Sequence, residues 1–201
     1  MTAIIDYDAG NIKSVEKAVA FLGYEAVLTR DRDVIMGSDR VILPGVGSFG
    51  DAMGRLRSYG LDTVLKEYAA SGKPFLGICL GLQLLFEDSE ESPGVEGLGI
   101  LKGHILRIPK EEGLTVPQIG WNDLKLRPGT KLFNGVKDGS YVYFVHSYYM
   151  KSEEEDAVAA TTEYGVTVHA AVEKGNVFAC QFHPEKSSDV GLKILENFLK
   201  I

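Results

Sequence analysis

The chain has 201 residues, 45% hydrophobic and 24% charged, with a formal net charge of −7. That length suffices for one domain with a sizeable core, spanning 1–201, and the acidic balance argues against a nucleic-acid partner. The opening MTAIIDYDAG is broken by Asp6 and Asp8 and does not read as a signal peptide, no stretch approaches the ~20 apolar residues of a membrane helix, and the two cysteines, Cys79 and Cys180, form no disulfide scaffold, so a cytoplasmic protein with free thiols is expected.

In chain order, AIIDY at 3–7 reads as a buried strand. Ile12, Val15, Val19 and Leu22 then recur at helical spacing, and Gly23 ends that helix. Strands follow at 24–29 and 40–43, then a glycine loop, then a helical stretch over 51–71 interrupted at Gly60. A strand at 74–78 runs directly into an apolar helical segment, Leu80 to Phe86. Strands alternating with helices predict an α/β fold with a largely parallel central sheet flanked by helices. The acidic, glycine-containing stretch EDSEESPGVEGLG reads as a loop. Beyond it come additional, mainly antiparallel strands at 100–108, 116–127, 141–148, 156–162, 166–173 and 176–182, with a hairpin across Glu173–Asn176. The C-terminal SSDVGLKILENFLKI is an amphipathic helix with Ser187 or Ser188 as its N-cap.

The loop LPGVGSFG carries Gly45, Gly47 and Gly50 as G-x-G-x-x-G. A dinucleotide cradle would follow the first strand and have an acidic residue at the end of the next; here the motif follows the third strand, and a helical run lies twenty positions on. A tight strand-to-helix turn is one reading, and backbone amides aimed at a developing oxyanion are another.

Cys79 stands in FLGICLGLQLL, where a strand ends and a helix begins between glycines. This is the pattern of a nucleophile elbow with cysteine in place of serine; a helix N-terminus favours a thiolate. A buried structural cysteine is the plainer alternative. Of the four histidines, His104, His146, His169 and His183, the last stands out in ACQFHPEK. In extended backbone His183 and Glu185 share a side, roughly 6.5–7 Å apart at Cα, so the carboxylate can orient the imidazole towards the thiol. Cys180 and His183 also form C-x-x-H, but no second close ligand pair accompanies them, and Cys180 fits the core better than a zinc site. His146 reads as a satisfied strand histidine, and Trp121 as either core or a partner contact. No metal and no cofactor are expected.

LPGVGSFG, GICLGLQLLF and FHPEKS, in this order, resemble the cysteine-dependent glutamine amidotransferases with a Cys-His-Glu triad. More narrowly, DYDAGNIKSV, PQIGWN and YFVHSYY are similar to the glutaminase subunits of imidazole glycerol phosphate synthases; Gln118 stands where that resemblance leads one to expect histidine. The resemblance implies a class-I amidotransferase fold that takes glutamine as substrate, with Cys79, His183 and Glu185 as the catalytic triad and ammonia passed to a separate cyclase subunit in a heterodimer. It implies oxyanion-hole amides at Val46 and Leu80, with Gly45 and Gly47 giving the backbone its freedom. Gln83, Ser147, Tyr148 and Glu91 would bind the substrate, and Asn11, Gln118, Trp121, Asn122, Tyr143 and Lys186 would face the cyclase. Alternatives are the glutaminase subunit of an anthranilate, guanylate or pyridoxal phosphate synthase, a cysteine peptidase or deglycase on a similar sheet, or a silent binding subunit.

Overall fold

The computed structural model describes residues 1–8 and 12–201; Asn11 lies outside the described residues. The first half builds a parallel sheet. Strand β1 (Thr2–Ile5) lies between β2 (Ala26–Thr29) and β3 (Arg40–Leu43), and β4 (Phe75–Ile78) adds beyond β3. Helices α1 (Ile12–Phe21), α2 (Arg32–Gly37), α3 (Phe49–Ser58) and α4 (Leu61–Ala70) form the crossovers, and α5 (Leu80–Leu84) follows β4 directly. The strands β1, β3 and β4 are almost wholly buried, as expected of a parallel sheet covered on both faces. Gly60 separates α3 from α4, with φ +68.

In the second half the sheet turns antiparallel. The strands are β5 (Asp88–Ser89), β6 (Gly103–Arg107), β7 (Gln118–Asp123), β8 (Lys125–Leu126), β9 (Tyr141–His146), β10 (Tyr148–Ser152), β11 (Val158–Glu163), β12 (Thr167–Lys174) and β13 (Val177–Cys180), and α6 (Ser188–Leu199) closes the chain. The large sheet runs β2-β1-β3-β4-β13-β12-β10-β6-β5, with β11 on β12 and β8 on β11. β13 is the hinge between the two styles, parallel to β4 and antiparallel to β12. Among the described residues no helix is long and apolar enough to cross a membrane.

Several sequence expectations are corrected. The helix α2 is absent from the sequence reading, although Asp31 caps it by accepting hydrogen bonds from the Asp33 and Val34 amides at 2.8 and 3.1 Å. The expected strand 116–127 breaks at Leu124, with β7 pairing β9 in a separate two-stranded sheet and β8 pairing β11. The strand 141–148 likewise splits at Ser147, so that β9 and β10 serve different sheets. Residues 100–102 precede β6 rather than belonging to it, and 156–157 sit in a 3-10 turn. The acidic loop contains the short β5. Neither serine caps α6 through its side chain, because the Ser187 hydroxyl donates to the His183 carbonyl and accepts from the Tyr143 amide. The 173–176 hairpin forms as expected, with Gly175 at φ +60.

The close approach of α5 to the sheet explains the elbow's glycines. A Cβ on Gly81 would enter the Leu43 carbonyl oxygen, and one on Gly77 would press the Gly81 carbonyl at 2.8 Å. Both obstacles are main chain and have no rotamer to yield. Gly81→Ala is therefore expected to lower the unfolding free energy by about 3 kcal/mol, read by chemical denaturation, whereas Gly54→Ala, whose Cβ meets nothing within 4 Å, leaves it unchanged or raised.

Candidate active site

Three adjacent parallel strands end at one place. β3 runs into Pro44–Gly47, β4 into Cys79, and β13 into Gln181–Glu185. The carboxyl ends of strands in an open α/β sheet are where such folds gather ligands. The β9–β10 junction, Val145 to Tyr148, closes over this edge, leaving a cavity of about 280 Å³. Its walls include Val46 and Gly47 from the glycine loop, Cys79, Leu80 and Gln83 from the elbow, and His183. Glu91, His146, Ser147 and Tyr148 complete the far side. The size lies near the roughly 300 Å³ lower end of ordinary ligand pockets, room enough for a molecule the size of an amino acid.

Cys79 occupies the N-cap position of α5 with φ 55 and ψ −110, a conformation few non-glycine residues adopt. It is 6% exposed. The turn pushes its sulfur out of the strand line at the start of the helix, where the first amides have no partner within the helix itself. The Sγ lies 3.9 Å from the Val145 carbonyl oxygen.

His183 Nδ1 donates to Glu185 Oε1 at 2.8 Å, with both side chains almost fully buried. His183 is extended, φ −99 and ψ 98, as a residue before proline should be. Glu185 reaches it differently from the strand alternation inferred from sequence. Pro184 opens a 3-10 turn over Pro184–Lys186, and this turn folds the carboxylate back onto the ring. Burial opposes charge on His183, yet the Cys79 sulfur and the Glu185 carboxylate outweigh it and raise the pKa to about 9. The ring is thus an imidazolium at neutral pH. His146 is the opposite case. Burial lowers its pKa to about 4, while Nδ1 donates to the Tyr148 carbonyl at 2.9 Å and Nε2 meets the Gln118 side chain at 2.8 Å. It is a satisfied strand histidine that also walls the cavity. Cys180 is fully buried, its thiol donating to the Phe182 carbonyl and its pKa pushed well up by burial.

The other residues singled out from sequence fall into two groups. Gly45 packs where a Cβ would strike the Tyr7 hydroxyl and Leu80, and Tyr7 in turn donates to the Pro44 carbonyl at 2.8 Å. Gly47 has φ +99. Glu91 enters the cavity with one oxygen accepting from the Phe49 amide at 2.8 Å. Gln83 also reaches it, but its Nε2 donates to the Tyr148 carbonyl and to Gln181 Oε1, both at 3.0 Å. On the small β7–β9 sheet Trp121 is 52% exposed and stacks edge-on against Tyr143, so it is not core. Lys186 is exposed.

Gln118 is corrected, being buried, while Asn122 is half-exposed on the side of β7 away from Trp121. Alternation along β7 turns them away from the face that carries Trp121, so Gln118 is buried against His146 and Asn122 donates to the Glu163 carbonyl at 2.9 Å. Ile119 and Tyr141, which the sequence reading passed over, do share the Trp121 face and are 63% and 57% exposed. Counting in twos from Trp121 identifies Ile119. Gln181, a wholly buried amide whose Nε2 lies 3.8 Å from Cys79 Sγ, was also passed over, though it is the one polar residue in the run VFACQF.

The family model described as glutamine amidotransferase class-I matches residues 3–201. The chain belongs to this family. It is 51% identical over 198 residues to a protein of Caldanaerobacter subterraneus described as imidazole glycerol phosphate synthase subunit HisH, covering 98% of this chain and 97% of that one. A Bacillus mycoides protein of the same description is 52% identical over 200 residues, covering 98% and 93%. Among solved structures, one titled PurLQS from Thermotoga maritima superposes with a TM-score of 0.77 at 23% identity, covering 99% of this chain and 97% of the other, a likeness of fold. Another, titled glutamine amidotransferase, gives 0.76 at 22%, covering 98% and 97%.

Two titrations check the electrostatics of this family member. In NMR spectra the His183 ring is expected to titrate near pH 9 and His146 near pH 4, and Glu185→Gln to bring the His183 midpoint down by about a unit or more. Since the folded His183 value lies above the usual 6.5, its contribution to stability is complete below pH 6.5 and is lost as pH rises through about 9.

Proposed function

We propose that the chain hydrolyses glutamine to glutamate and ammonia at Cys79, as the glutamine amidotransferase subunit of imidazole glycerol phosphate synthase in histidine biosynthesis, and that the ammonia passes to a cyclase subunit bound over the cavity. The observation carrying this reading is the convergence of a thiol on a strained elbow with a buried, carboxylate-clamped imidazolium at the wall of an amino-acid-sized cavity.

The chemistry follows from that geometry. The Cys79 thiolate attacks the side-chain amide carbon, and charge develops on the amide oxygen. Amides at the start of α5 (Leu80) and in the glycine loop (Val46) receive it; losing one such donor typically costs about 10²–10³ in rate. His183 already carries the proton that departing ammonia needs. A glutamyl thioester remains, and the now neutral His183 draws a proton from water as it attacks and releases glutamate. Glu185 holds the ring and favours its charged form. Ser147, Tyr148, Glu91 and Gln83 line the space in which the rest of glutamine sits.

The docking face is the outer side of the β7–β9 sheet. Ile119, Trp121, Tyr141 and Tyr143 lie on it, and Val145, cross-strand from Ile119, lines the cavity itself. An apolar, aromatic patch continuous with a cavity mouth is the surface an ammonia acceptor would cover, and Lys186 is exposed in the turn that follows His183. The reaction belongs in the cytoplasm, where Cys79 stays reduced.

With purified cyclase partner present, Cys79→Ala is expected to lower glutamine hydrolysis by about 10³-fold or more while leaving the circular-dichroism melt unchanged. Trp121→Ala is expected to weaken association with the cyclase by about tenfold or more, measured by calorimetry, without altering labelling of Cys79 by a glutamine-like diazo-ketone. Glutamine turnover that survives loss of the sulfur would end this reading.

A further inference from the structure

Gln181 is completely buried, directly follows β13, and takes no part in the triad. Its side-chain amide is oriented by its neighbours. The Tyr148 carbonyl oxygen can only accept, so the Gln83 group facing it at 3.0 Å is the NH2. The same NH2 gives its second hydrogen to Gln181 at 3.0 Å, so the Gln181 atom facing Gln83 is the oxygen. That leaves the Gln181 NH2 directed at Cys79 Sγ, 3.8 Å away. Turning either amide over would set donor against donor or acceptor against acceptor around the wholly buried Gln181 side chain.

The sulfur therefore has neighbours that favour different states. The Val145 carbonyl at 3.9 Å can only accept, and it favours the protonated thiol. The Gln181 NH2 can only donate, and a donor bonds an anion more strongly than a neutral sulfur. The titratable groups around it are His183, with Glu185 behind it, Tyr7 and Cys180, and across the cavity His146, whose ring nitrogens meet the Tyr148 carbonyl and Gln118, and Glu91, which accepts from the Phe49 amide. Tyr7 and Cys180 have their protons committed to the Pro44 and Phe182 carbonyls. His183 must give its proton to departing ammonia and take one back from water during the cycle. Gln181 never gives its proton away.

We propose that Gln181 is a fixed amide donor to the nucleophile, stabilising the Cys79 sulfur as an anion before attack and again as the thioester breaks. Gln83 acts through it as a positioning residue, relaying the Tyr148 carbonyl to the Gln181 amide. This rests on the reading of Cys79 as nucleophile.

The test uses the full chain with Gln181→Met, which keeps length and volume and removes the donor. Iodoacetamide alkylation of Cys79, located by mass spectrometry, is followed against pH. The midpoint is expected to rise by about one unit, with the alkylation rate at pH values below the midpoint falling about tenfold. In the cyclase complex the acid limb of the kcat–pH profile moves up by a similar amount and KM for glutamine changes little. A purely packing role would lower the melting temperature and leave the midpoint in place; a midpoint equal to that of the unsubstituted chain overturns the proposal. If Q181M does not fold, the unsubstituted chain labelled with 15N-glutamine serves instead: the Gln181 side-chain NH2 resonance should follow the Cys79 titration, and one indifferent to it overturns the proposal equally. Failure of the underlying reading is distinguishable, because Cys79→Ala would then retain glutamine hydrolysis whatever Q181M does.

Discussion

The site depends on how closely α5 is allowed to approach β3. Only a residue without Cβ fits against the Leu43 carbonyl, and Gly81 is that residue. This contact draws the helix start down onto the sheet edge and leaves Cys79 to absorb the sharp change of direction at φ 55. The backbone strain is sustained by what surrounds it. The Cys79 amide donates to the Cys180 carbonyl at 2.8 Å, extending the β4–β13 pairing by one residue just before the turn. The sulfur is presented by main-chain geometry rather than by a choice of rotamer.

The two styles of sheet divide the work. Parallel strands β3, β4 and β13 deliver the glycine loop, the thiol and the histidine to one edge, because parallel strands end together on one side. The antiparallel half supplies a cover, the β9–β10 junction, whose carbonyls and side chains complete the cavity. Low exposure on both sides strengthens the electrostatics that matter. The same burial that forces His146 neutral leaves His183 charged, because only His183 has a carboxylate within hydrogen-bond reach and a sulfur on its other side. Two histidines lining one cavity thus take opposite protonation states, and the difference lies in their partners.

Much of this was legible in the sequence where a local pattern coincides with a physical need. The run Gly77–Gly81 announces an elbow because nothing but glycine suits those two positions, and His-Pro-Glu announces a clamped imidazole because proline fixes its own φ and holds the preceding histidine extended. The parallel half was readable from alternating strands and helices, apart from α2, whose single buried side chain, Ile35, gives no periodicity to detect. The second half was harder. The run 141–148 alternates up to Ser147 with little to mark the point where the chain leaves one sheet for another, and in 116–127 the turn-prone pair Asn122-Asp123 is the mark of the break at Leu124 that a continuous strand overlooks. Gln118 was misplaced because its role depends on a partner, His146, distant in sequence. Gln181 was overlooked because a buried amide acquires meaning only from the groups that orient it, here Gln83 and the Tyr148 carbonyl.

Tyr143 belongs to both worlds at once. Its ring lies on the outer aromatic face against Trp121, while its carbonyl accepts from the His183 amide at 3.0 Å and its own amide donates to Ser187. The inward half of that bargain is written in backbone atoms, which every amino acid except proline possesses. The outer side chains of this ribbon can therefore be exchanged wholesale, by evolution or by an engineer choosing a new ally, with the imidazole still held where it is.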